Sequence, residues 1–461
     1  MWALQRYRPL VDDWPAFAES VHRPLPATLW AHPERVDAPE LARLLAESGL
    51  EAQPLPWHRG ALRLGPGRSA GEHWGHGAGL FQIQEAAAML PARVLDARPG
   101  DRILDLCAAP GNKTAQLALA VGAAGMVVAN DPQRGRLAPL RQTVKRLGLC
   151  NVVATRRPGE EYPLAAGGFD RVLVDAPCSG EGTWRRRAEP ASVPDDARAR
   201  LVTRQYRLLE RAITLCRPGA TLVYSTCTLA PEENEAVIQR LLEVHGEHVE
   251  VLPARVAGFP CDPGLTHWAG RALDPSLAHA MRVWPHRADT GGFFIARLRI
   301  RGSAEPPATA AGVCGAAQAG DEALAARLRR CLDLPPGALD GLRLVEAGGR
   351  YAYLVGCGLA AGFRPPAEFR GLPALARQMR PDKPTTAAVL ALGRVSQGAR
   401  VDLDAPDLRR FRARQDVRLA PGSGSAGPGY VMVWHRGHPV GLGRLQGNAL
   451  ESLYPRAWSP A

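Results

Sequence analysis

This chain of 461 residues lacks any apolar run long enough to cross a membrane. A membrane-spanning helix needs about 18 or more mostly apolar residues in succession. The first residues, MWALQRYRPLVDDW, carry charges throughout, so they also lack the apolar core of a secretory signal peptide. We therefore expect a cytoplasmic protein that does not bind membranes.

The nine cysteines form no metal-binding or disulfide pattern. They are scattered, with no Cys-x-x-Cys pair and no zinc-type spacing. An odd, dispersed set is typical of free thiols in a reducing compartment. His73 and His76 lie in the Gly-rich stretch 65–79 without a partner set of ligands. We expect exposed loop histidines there and no metal ion in the protein.

The composition indicates a globular protein with an anionic partner. Hydrophobic residues make up 46% of the chain, and 57 basic against 45 acidic residues give a net charge of +12. A chain of this length holds about two to four domains. The positive charge favours nucleic acid as the partner, although a proteome rich in arginine would produce the same balance.

The segment FQIQEAAAMLPARVLD (81–96) is predicted to be a helix that leads into the next domain, and strands and helices then alternate between residues 99 and 300. Apolar segments rich in β-branched residues are separated by helical patterns with apolar residues at i, i+3 and i+7. The predicted strands are 102–106, 125–131, 151–155, 169–177, 221–226, 248–252 and 293–300. This alternation predicts an α/β protein with a doubly wound parallel sheet. Ligands bind such sheets at the carboxyl ends of the strands.

The loop after the first predicted strand suits a ligand without having a phosphate-binding motif. It reads CAAPGNKT (107–114), which matches neither GxGxxG nor GxxxxGK[ST]. Small residues and Gly111 let a ligand approach the backbone closely. Asp131 ends the second strand, where an acid can bind ribose hydroxyls or cap a helix. Together these features fit an adenosine-containing ligand.

Two cysteines follow neighbouring predicted strands. Cys178 comes after the fourth strand, close to Asp175, and Cys227 follows the fifth, so we expect them to face one crevice. The proline and acids at 231–235 predict a helix N-terminus, which would lower the pKa of the Cys227 thiol towards a nucleophilic thiolate. A disulfide between the two cysteines is the structural alternative, and a reducing compartment disfavours it.

Three motifs in combination carry a family resemblance. DLCAAPGNKT (105–114), DAPCSGEG (175–182) and STCTLAPEENE (225–235) resemble those of the Nop/Sun family of S-adenosylmethionine (SAM)-dependent RNA (cytosine-5) methyltransferases, over about residues 85–300. WPHR (284–287) and GGFFIARL (291–298) are most similar to its bacterial type that acts on small-subunit ribosomal RNA. The resemblance implies a Rossmann-like seven-stranded SAM-dependent methyltransferase core, a small N-terminal α/β region and a C-terminal PUA-like β-barrel.

The resemblance also implies roles for individual residues. Cys227 would add to carbon 6 of the target cytosine, Cys178 would assist product release, and Asp175 and Lys113 would lie against the base. The residues that it assigns to SAM are Cys107, Ala108, Ala109, Pro110, Gly111, Asn112, Lys113, Asp131, Arg136 and Asp175. Pro158 departs from the family pattern, which has an aspartate near the adenine, so backbone groups or Glu160 would make that contact.

Five regions are predicted along the chain. They are an N-terminal RNA-binding or accessory region (1–85), the methyltransferase core (86–300), a linker (301–335), a small α/β unit (336–385) and a PUA-like RNA-binding domain (386–461). Two basic, aromatic-containing segments are candidates for RNA contacts: Trp184 with Arg185, Arg186 and Arg187, and the run Arg409-Arg410-Phe411-Arg412-Ala413-Arg414. A solvated charged face is the alternative.

The predicted activity is formation of 5-methylcytosine in small-subunit (16S) ribosomal RNA. The target base must leave its stack, so a loop or a partly assembled subunit is the expected substrate. We expect a monomer with RNA, not DNA, as its partner and SAM as its cofactor. The alternatives are a transfer RNA (cytosine-5) methyltransferase, a catalytically silent RNA-binding assembly factor, and a protein or small-molecule methyltransferase. The presence of both cysteines disfavours the silent factor.

Overall fold

The computed structural model describes most of the chain. The described residues are 2–164, 168–186, 193–302, 319–346, 349–360, 367–379, 381–420 and 428–459. Within these ranges, no helix is both long and apolar enough for a membrane span. Of the predicted linker, 303–318 lies outside the described residues, as does Arg187. The rest of the linker is largely a helix, Ala319–Leu332.

The N-terminal region is built on a four-stranded antiparallel sheet in the order β2-β3-β1-β4. Its strands are Thr28–Ala31 (β1), Ala52–Leu55 (β2), His58–Leu64 (β3) and Phe81–Ile83 (β4). Its helices are Trp2–Gln5, Trp14–His22, Ala38–Ala46 and Trp74–Gly77.

Two expectations for this region are wrong. A helix predicted from Phe81 begins only at Ala86, because residues 81–83 pair with β1 and Glu85 caps the helix by accepting hydrogen bonds from the amides of Ala87 and Ala88. His73 is not an exposed loop residue: it is only 7% exposed, and its ring packs 5.9 Å from that of Phe81.

Five parallel strands form the centre of the core sheet, in the order β9-β8-β5-β6-β7. They are Arg102–Asp105 (β5), Met126–Asn130 (β6), Val152–Thr155 (β7), Phe169–Asp175 (β8) and Cys216–Thr226 (β9). Helices cover both faces, so the central strands are buried on both sides and read as continuous apolar runs. The helices are Ala86–Leu95, Asn112–Val121, Arg134–Leu147, Asp195–Leu215 and Glu235–His245.

The edge of the core sheet beyond β9 is antiparallel. Its strands are Val249–Leu252 (β10), Asp262–Pro263 (β11), Met281–Val283 (β14) and Phe293–Ile300 (β15). His267–Trp268 (β12) and Arg271–Ala272 (β13) form a separate small hairpin. β15 runs antiparallel to β9, β10 and β14. The prediction of a wholly parallel sheet is therefore wrong for its last two strands. The connection between β14 and β15 holds only the short helix Pro285–Ala288, too little for a parallel crossover.

A small four-stranded sheet in the order β16-β17-β19-β20 follows the core. The strands of this segment are Leu342–Glu346 (β16), Tyr351–Gly356 (β17), Phe369–Arg370 (β18), Leu372–Ala376 (β19) and Lys383–Pro384 (β20), with a short helix at Cys357–Ala360. β18 leaves this sheet and pairs with β7, which joins the segment to the far edge of the core sheet.

The C-terminal region is a five-stranded sheet in the order β21-β23-β24-β25-β22. Its strands are Arg400–Asp402 (β21), Val417–Arg418 (β22), Gly429–His435 (β23), His438–Gln446 (β24) and Ala449–Ser452 (β25), and its helices are Thr386–Leu392 and Ala405–Arg412. Phe411 is fully buried, with its ring 5.7 Å from that of Tyr454. The expectation that Phe411 stacks on RNA bases is therefore wrong, because its ring belongs to the core.

Candidate active site

The two predicted active-site cysteines lie side by side at the carboxyl edge of the core sheet. β8 and β9 are parallel neighbours in a register that pairs Asp175 with Ser225. Cys178 and Cys227 follow these two residues on their respective loops, and their sulfurs are 3.4 Å apart. Both are free thiols. The structure thus brings the pair together on one side of the sheet.

Asp175 and Lys113 form an ion pair next to the thiols. The Lys113 ammonium, in the first turn of Asn112–Val121, lies 2.7 Å from one carboxylate oxygen of Asp175. The other oxygen accepts a 2.8 Å hydrogen bond from the Ser225 hydroxyl. The ammonium also lies 5.4 Å from the centre of the Phe293 ring. Both ends of the carboxylate are therefore held in place.

The two thiols differ in acidity. The pKa of Cys227 lies below its usual value, first because of its hydrogen bond with the Cys178 thiol and then because Lys113 and Arg186 add positive charge. The pKa of Cys178 lies well above its usual value, owing to its hydrogen bond to Cys227 and to burial. Cys227 is therefore the more acidic thiol of the pair.

The cause of this acidity differs from the one expected. A helix N-terminus was predicted to lie directly after Cys227, but residues 231–233 form only a short 3₁₀ turn and the α-helix begins at Glu235. The effect of a helix dipole falls off within one turn. The neighbouring Cys178 thiol and the positive charges of Lys113 and Arg186 lower the pKa of Cys227 instead of a helix dipole.

The loop after β5 and the ion pair border a cavity of about 270 Å³. The predicted cofactor residues that line it are Cys107, Ala108, Ala109, Pro110, Asn112, Lys113 and Asp175, and Cys227 lines it as well. Gly111 does not line it, but its φ of 105° and the approach of Leu140 to within 2.9 Å of any added Cβ require glycine. The loop therefore places its small side chains and backbone along the cavity wall.

Asp131 and Arg136 brace this loop from outside the cavity. The Asp131 carboxylate is 3.2 Å from the Arg136 guanidinium, which also donates a 3.0 Å hydrogen bond to the carbonyl of Ala109. Glu160 forms a 2.5 Å ion pair with Arg204. None of these four charged residues lines the 270 Å³ cavity.

Asp105 is a site residue that the motif analysis missed. It ends β5, lines the cavity and is almost fully buried. One of its carboxylate oxygens accepts a 2.7 Å hydrogen bond from the Thr114 hydroxyl, whereas the other has no partner within the described structure. Burial raises the pKa of Asp105 to about 7. Its place at a strand end, like that of Asp131, was the available sequence signal.

A buried polar network behind the cysteines was also not predicted. Glu181 and Glu233 both form ion pairs with Arg198, at 2.7 and 2.8 Å. Glu181 also accepts hydrogen bonds from the hydroxyls of Tyr7 and Thr228. Arg198 stands in a helical stretch with alternating charges, which gave no indication that it is buried.

The segment after Cys178 divides into structural and exposed residues. Trp184 is only 2% exposed. The Arg185 guanidinium pairs with Asp289 at 2.8 Å and donates to the carbonyls of Arg23, Pro24 and Thr290. Neither side chain is free to bind RNA as expected, because both belong to the packed interior. Arg186 is exposed and lines the cavity.

The histidines and cysteines build no metal centre in the part of the chain that the structure describes. No group of three or more His, Cys, Asp or Glu side chains there is arranged to hold a metal ion. Glu181 and Glu233, which follow the two cysteines along their loops, are paired with Arg198.

Comparisons with known proteins place the chain in a family. The profile described as 16S rRNA methyltransferase RsmB/F matches residues 92–299, and the PUA domain of methyltransferase RsmF matches 399–459. Ribosomal RNA small subunit methyltransferase F of Klebsiella pneumoniae (strain 342) is 35% identical over 305 residues, which cover 63% of this chain and 60% of that protein. The Salmonella paratyphi B (strain ATCC BAA-1250 / SPB7) protein of that name is 37% identical over 299 residues, with coverages of 61% and 59%.

A solved structure agrees with these matches. The methyltransferase homolog from Pyrococcus horikoshii is 34% identical, with a TM-score of 0.56, over 62% of this chain and 90% of that one. The chain spans about 60% of the length of the curated relatives that it matches. The matches confirm the predicted fold class, a Rossmann-like methyltransferase core with a C-terminal PUA-like domain. The chain therefore belongs to the methyltransferases, and over residues 92–299 it matches the RsmB/F family of 16S rRNA methyltransferases.

Proposed function

We propose that this protein is a SAM-dependent methyltransferase that forms 5-methylcytosine in small-subunit ribosomal RNA. The observation that carries the proposal is the pair of thiols 3.4 Å apart, one of them acidic, beside the Lys113–Asp175 ion pair. The names of the relatives, ribosomal RNA small subunit methyltransferase F, support ribosomal RNA as the substrate.

The cavity fits SAM in its charge and its lining. The unpartnered, buried oxygen of Asp105 needs a hydrogen-bond donor, and the cationic amino group of SAM is such a donor. The residues at 107–113 would hold the rest of the molecule, with Asp131 and Arg136 fixing the loop behind it. When bound, SAM supplies an electrophilic methyl group.

The thiol pair suits methylation at carbon 5 of cytosine. That carbon is a weak nucleophile until a thiolate adds to carbon 6, and Cys227, whose pKa is lowered, is the thiol of the pair better suited to become that thiolate. The Lys113–Asp175 pair would lie against ring nitrogen 3 and the amino group, where charge develops. Once a water molecule has taken the proton from carbon 5, the double bond between carbons 5 and 6 would re-form and Cys227 would leave carbon 6 as a thiolate. The Cys178 sulfur lies 3.4 Å from that of Cys227, so its thiol would donate a hydrogen bond to the leaving group and stabilise it.

We infer that RNA approaches past Arg186. This exposed guanidinium lines both the 270 Å³ cavity and a second one of about 320 Å³, which lies between residues 24–28 and 83–85. A guanidinium at the junction of two cavities is placed to bind a phosphate beside a base that has left its stack. We also propose that the protein is a monomer and that its substrate is a partly assembled subunit. The chain would divide into regions after residues 85, 300, 335 and 385.

Methyl transfer from labelled SAM tests the proposal. We expect wild-type protein to label small-subunit ribosomal RNA at cytosine, as mapped by bisulfite sequencing, and not transfer RNA. Cys227→Ser should abolish labelling, whereas Cys261→Ser, at a half-buried cysteine outside the cavity, should retain it. Labelling of transfer RNA or protein alone, or none at all, would refute the assigned substrate or the activity.

A further inference from the structure

Arg198 joins the two loops that carry the cysteines. It lies in the first turns of Asp195–Leu215. One nitrogen of its guanidinium lies 2.7 Å from Glu181, on the loop of Cys178, and another lies 2.8 Å from Glu233, on the loop of Cys227. The side chains of all three residues are at most 6% exposed. A single buried cation thus bridges both loops.

The carboxylate of Glu233 extends this bridge to the backbone around Cys178. One of its oxygens accepts 2.9 Å hydrogen bonds from the amide of Ser179 and from the Gln205 side chain. Gln205 also donates to the carbonyl of Pro177. The peptide groups on both sides of Cys178 are therefore tied to an acid on the loop of Cys227.

A pair of hydroxyl groups makes a second, uncharged link between the loops. The oxygens of Ser179 and Thr228, the residues that follow Cys178 and Cys227, are 2.7 Å apart. Thr228 also donates to Glu181 at 3.3 Å. The side chains next to both sulfurs therefore belong to one network centred on Arg198.

The geometry of this network requires arginine. A guanidinium presents a rigid planar fork that can serve two carboxylates at once, whereas an ammonium is a point charge on a flexible stem. A lysine in its place would pair fully with only one of the two acids. The other would remain buried without its cation, which favours movement of its loop.

We propose that Arg198 is a positioning residue that sets the distance between the sulfurs of Cys178 and Cys227. It touches neither sulfur and does not line the cavity. It acts by holding both loops so that the Cys178 thiol can donate to the Cys227 thiolate. The inference rests on the proposed function for its catalytic consequence, but the spacing itself can be tested without RNA.

Alkylation of Cys227 in the free protein provides this test. Iodoacetamide reacts with thiolates, and mass spectrometry of the Cys227 peptide measures the rate at neutral pH. For Arg198→Lys we expect alkylation about tenfold slower, because loss of the donated hydrogen bond lowers the thiolate fraction. Arg200→Lys is the matched control. It lies on the same helix in an exposed pair with Asp196, and it should react like wild type.

Thr228→Val provides a second variant, because it breaks the hydroxyl link without leaving a buried charge. It should also slow Cys227 alkylation, by a smaller factor, even if Arg198→Lys does not fold. If Arg198→Lys folds and its Cys227 is alkylated at the wild-type rate, the inference is overturned. If Arg198→Lys does not fold, a wild-type alkylation rate in Thr228→Val overturns it. With RNA, kcat should fall while KM for RNA is unchanged. The two proposals can fail separately. If the variants are alkylated more slowly but the wild-type protein methylates no RNA, the inference stands and the proposed function is refuted.

Discussion

Replacing Lys113 with Met tests the electrostatics of the site most sharply. The change removes the cation that lies 2.7 Å from Asp175 and that helps to lower the pKa of Cys227, while keeping a side chain of similar length. Lys113 is one of only three lysines among 57 basic residues. We expect methyl transfer to slow, because Asp175 and Cys227 both lose this cation.

The size of the effect follows from the ion pair. A hydrogen bond between charged groups contributes about 1.5–3 kcal/mol. The side chains of Lys113 and Asp175 are 13% and 28% exposed, so solvent screening places the loss near the lower end, at about 1.5 kcal/mol. That corresponds to a fall in kcat of roughly tenfold or somewhat more. The Ser225 hydroxyl still holds Asp175, so folding should be largely preserved.

Single-turnover methylation across pH is the assay. Without Lys113 the pKa of Cys227 rises, so the acid limb of the pH–rate profile should move to higher pH, and raising the pH should restore part of the rate. Lys145→Met, in the helix Arg134–Leu147 and away from the cavity, is the control and should behave like wild type. A Lys113→Met enzyme with normal kcat and an unshifted profile would refute this reasoning.

Three further predictions concern residues around the site and in the C-terminal region. Asp105→Asn should weaken SAM binding about tenfold, as measured by calorimetry. Burial raises the pKa of Asp105 to about 7, so above pH 7 the wild-type protein holds a buried charge that Asn lacks. The ligand-free variant should therefore unfold at a higher temperature than wild type above pH 7, and at the same temperature near pH 4. Unchanged SAM affinity would contradict the first part. Phe411→Ala should cost about 3–5 kcal/mol of unfolding free energy and Phe411→Leu much less; a stable Phe411→Leu variant with lost RNA affinity would argue for stacking instead. Arg186→Ala should raise the Kd for RNA and flatten its salt dependence without lowering Tm; unchanged RNA affinity would exclude its phosphate contact.

The core of the fold could be predicted because its pattern is local. Strands buried on both faces read as apolar runs, and the helices between them have clear periodicity. The direction of β15 could not be predicted from a local pattern. It depends on the length of the connection between β14 and β15, which is too short for a parallel crossover. Phe81 was placed in a helix because its pairing partner, β1, lies far away in the sequence.

The position of the two cysteines could be predicted from topology alone. Residues that follow adjacent parallel strands share an edge of the sheet, and the two sulfurs do lie together. What lowers the pKa of Cys227 could not be predicted, because the Cys178 thiol and Arg186 come from the segment 178–186 and Lys113 comes from the helix Asn112–Val121. Their proximity is a property of the folded chain.

Buried arginines were the hardest residues to interpret from sequence. Arg185 and Arg198 stand in charged segments typical of a solvated surface, yet both are buried. Arg185 donates to carbonyls of other segments, and Arg198 pairs with two acids of other segments. A charged residue is buried only where partners converge on it. A charge pattern along the chain does not show that convergence.

Trapping of a covalent RNA complex tests the central claim most directly. Cys178→Ala removes the thiol that would help Cys227 to leave, so this variant, incubated with SAM and small-subunit ribosomal RNA, should accumulate a protein–RNA adduct that survives denaturing electrophoresis. Mass spectrometry should locate the attachment at Cys227, and Cys178→Ala/Cys227→Ala should form no adduct. A Cys178→Ala protein that binds SAM and RNA yet runs only as free protein would contradict the account.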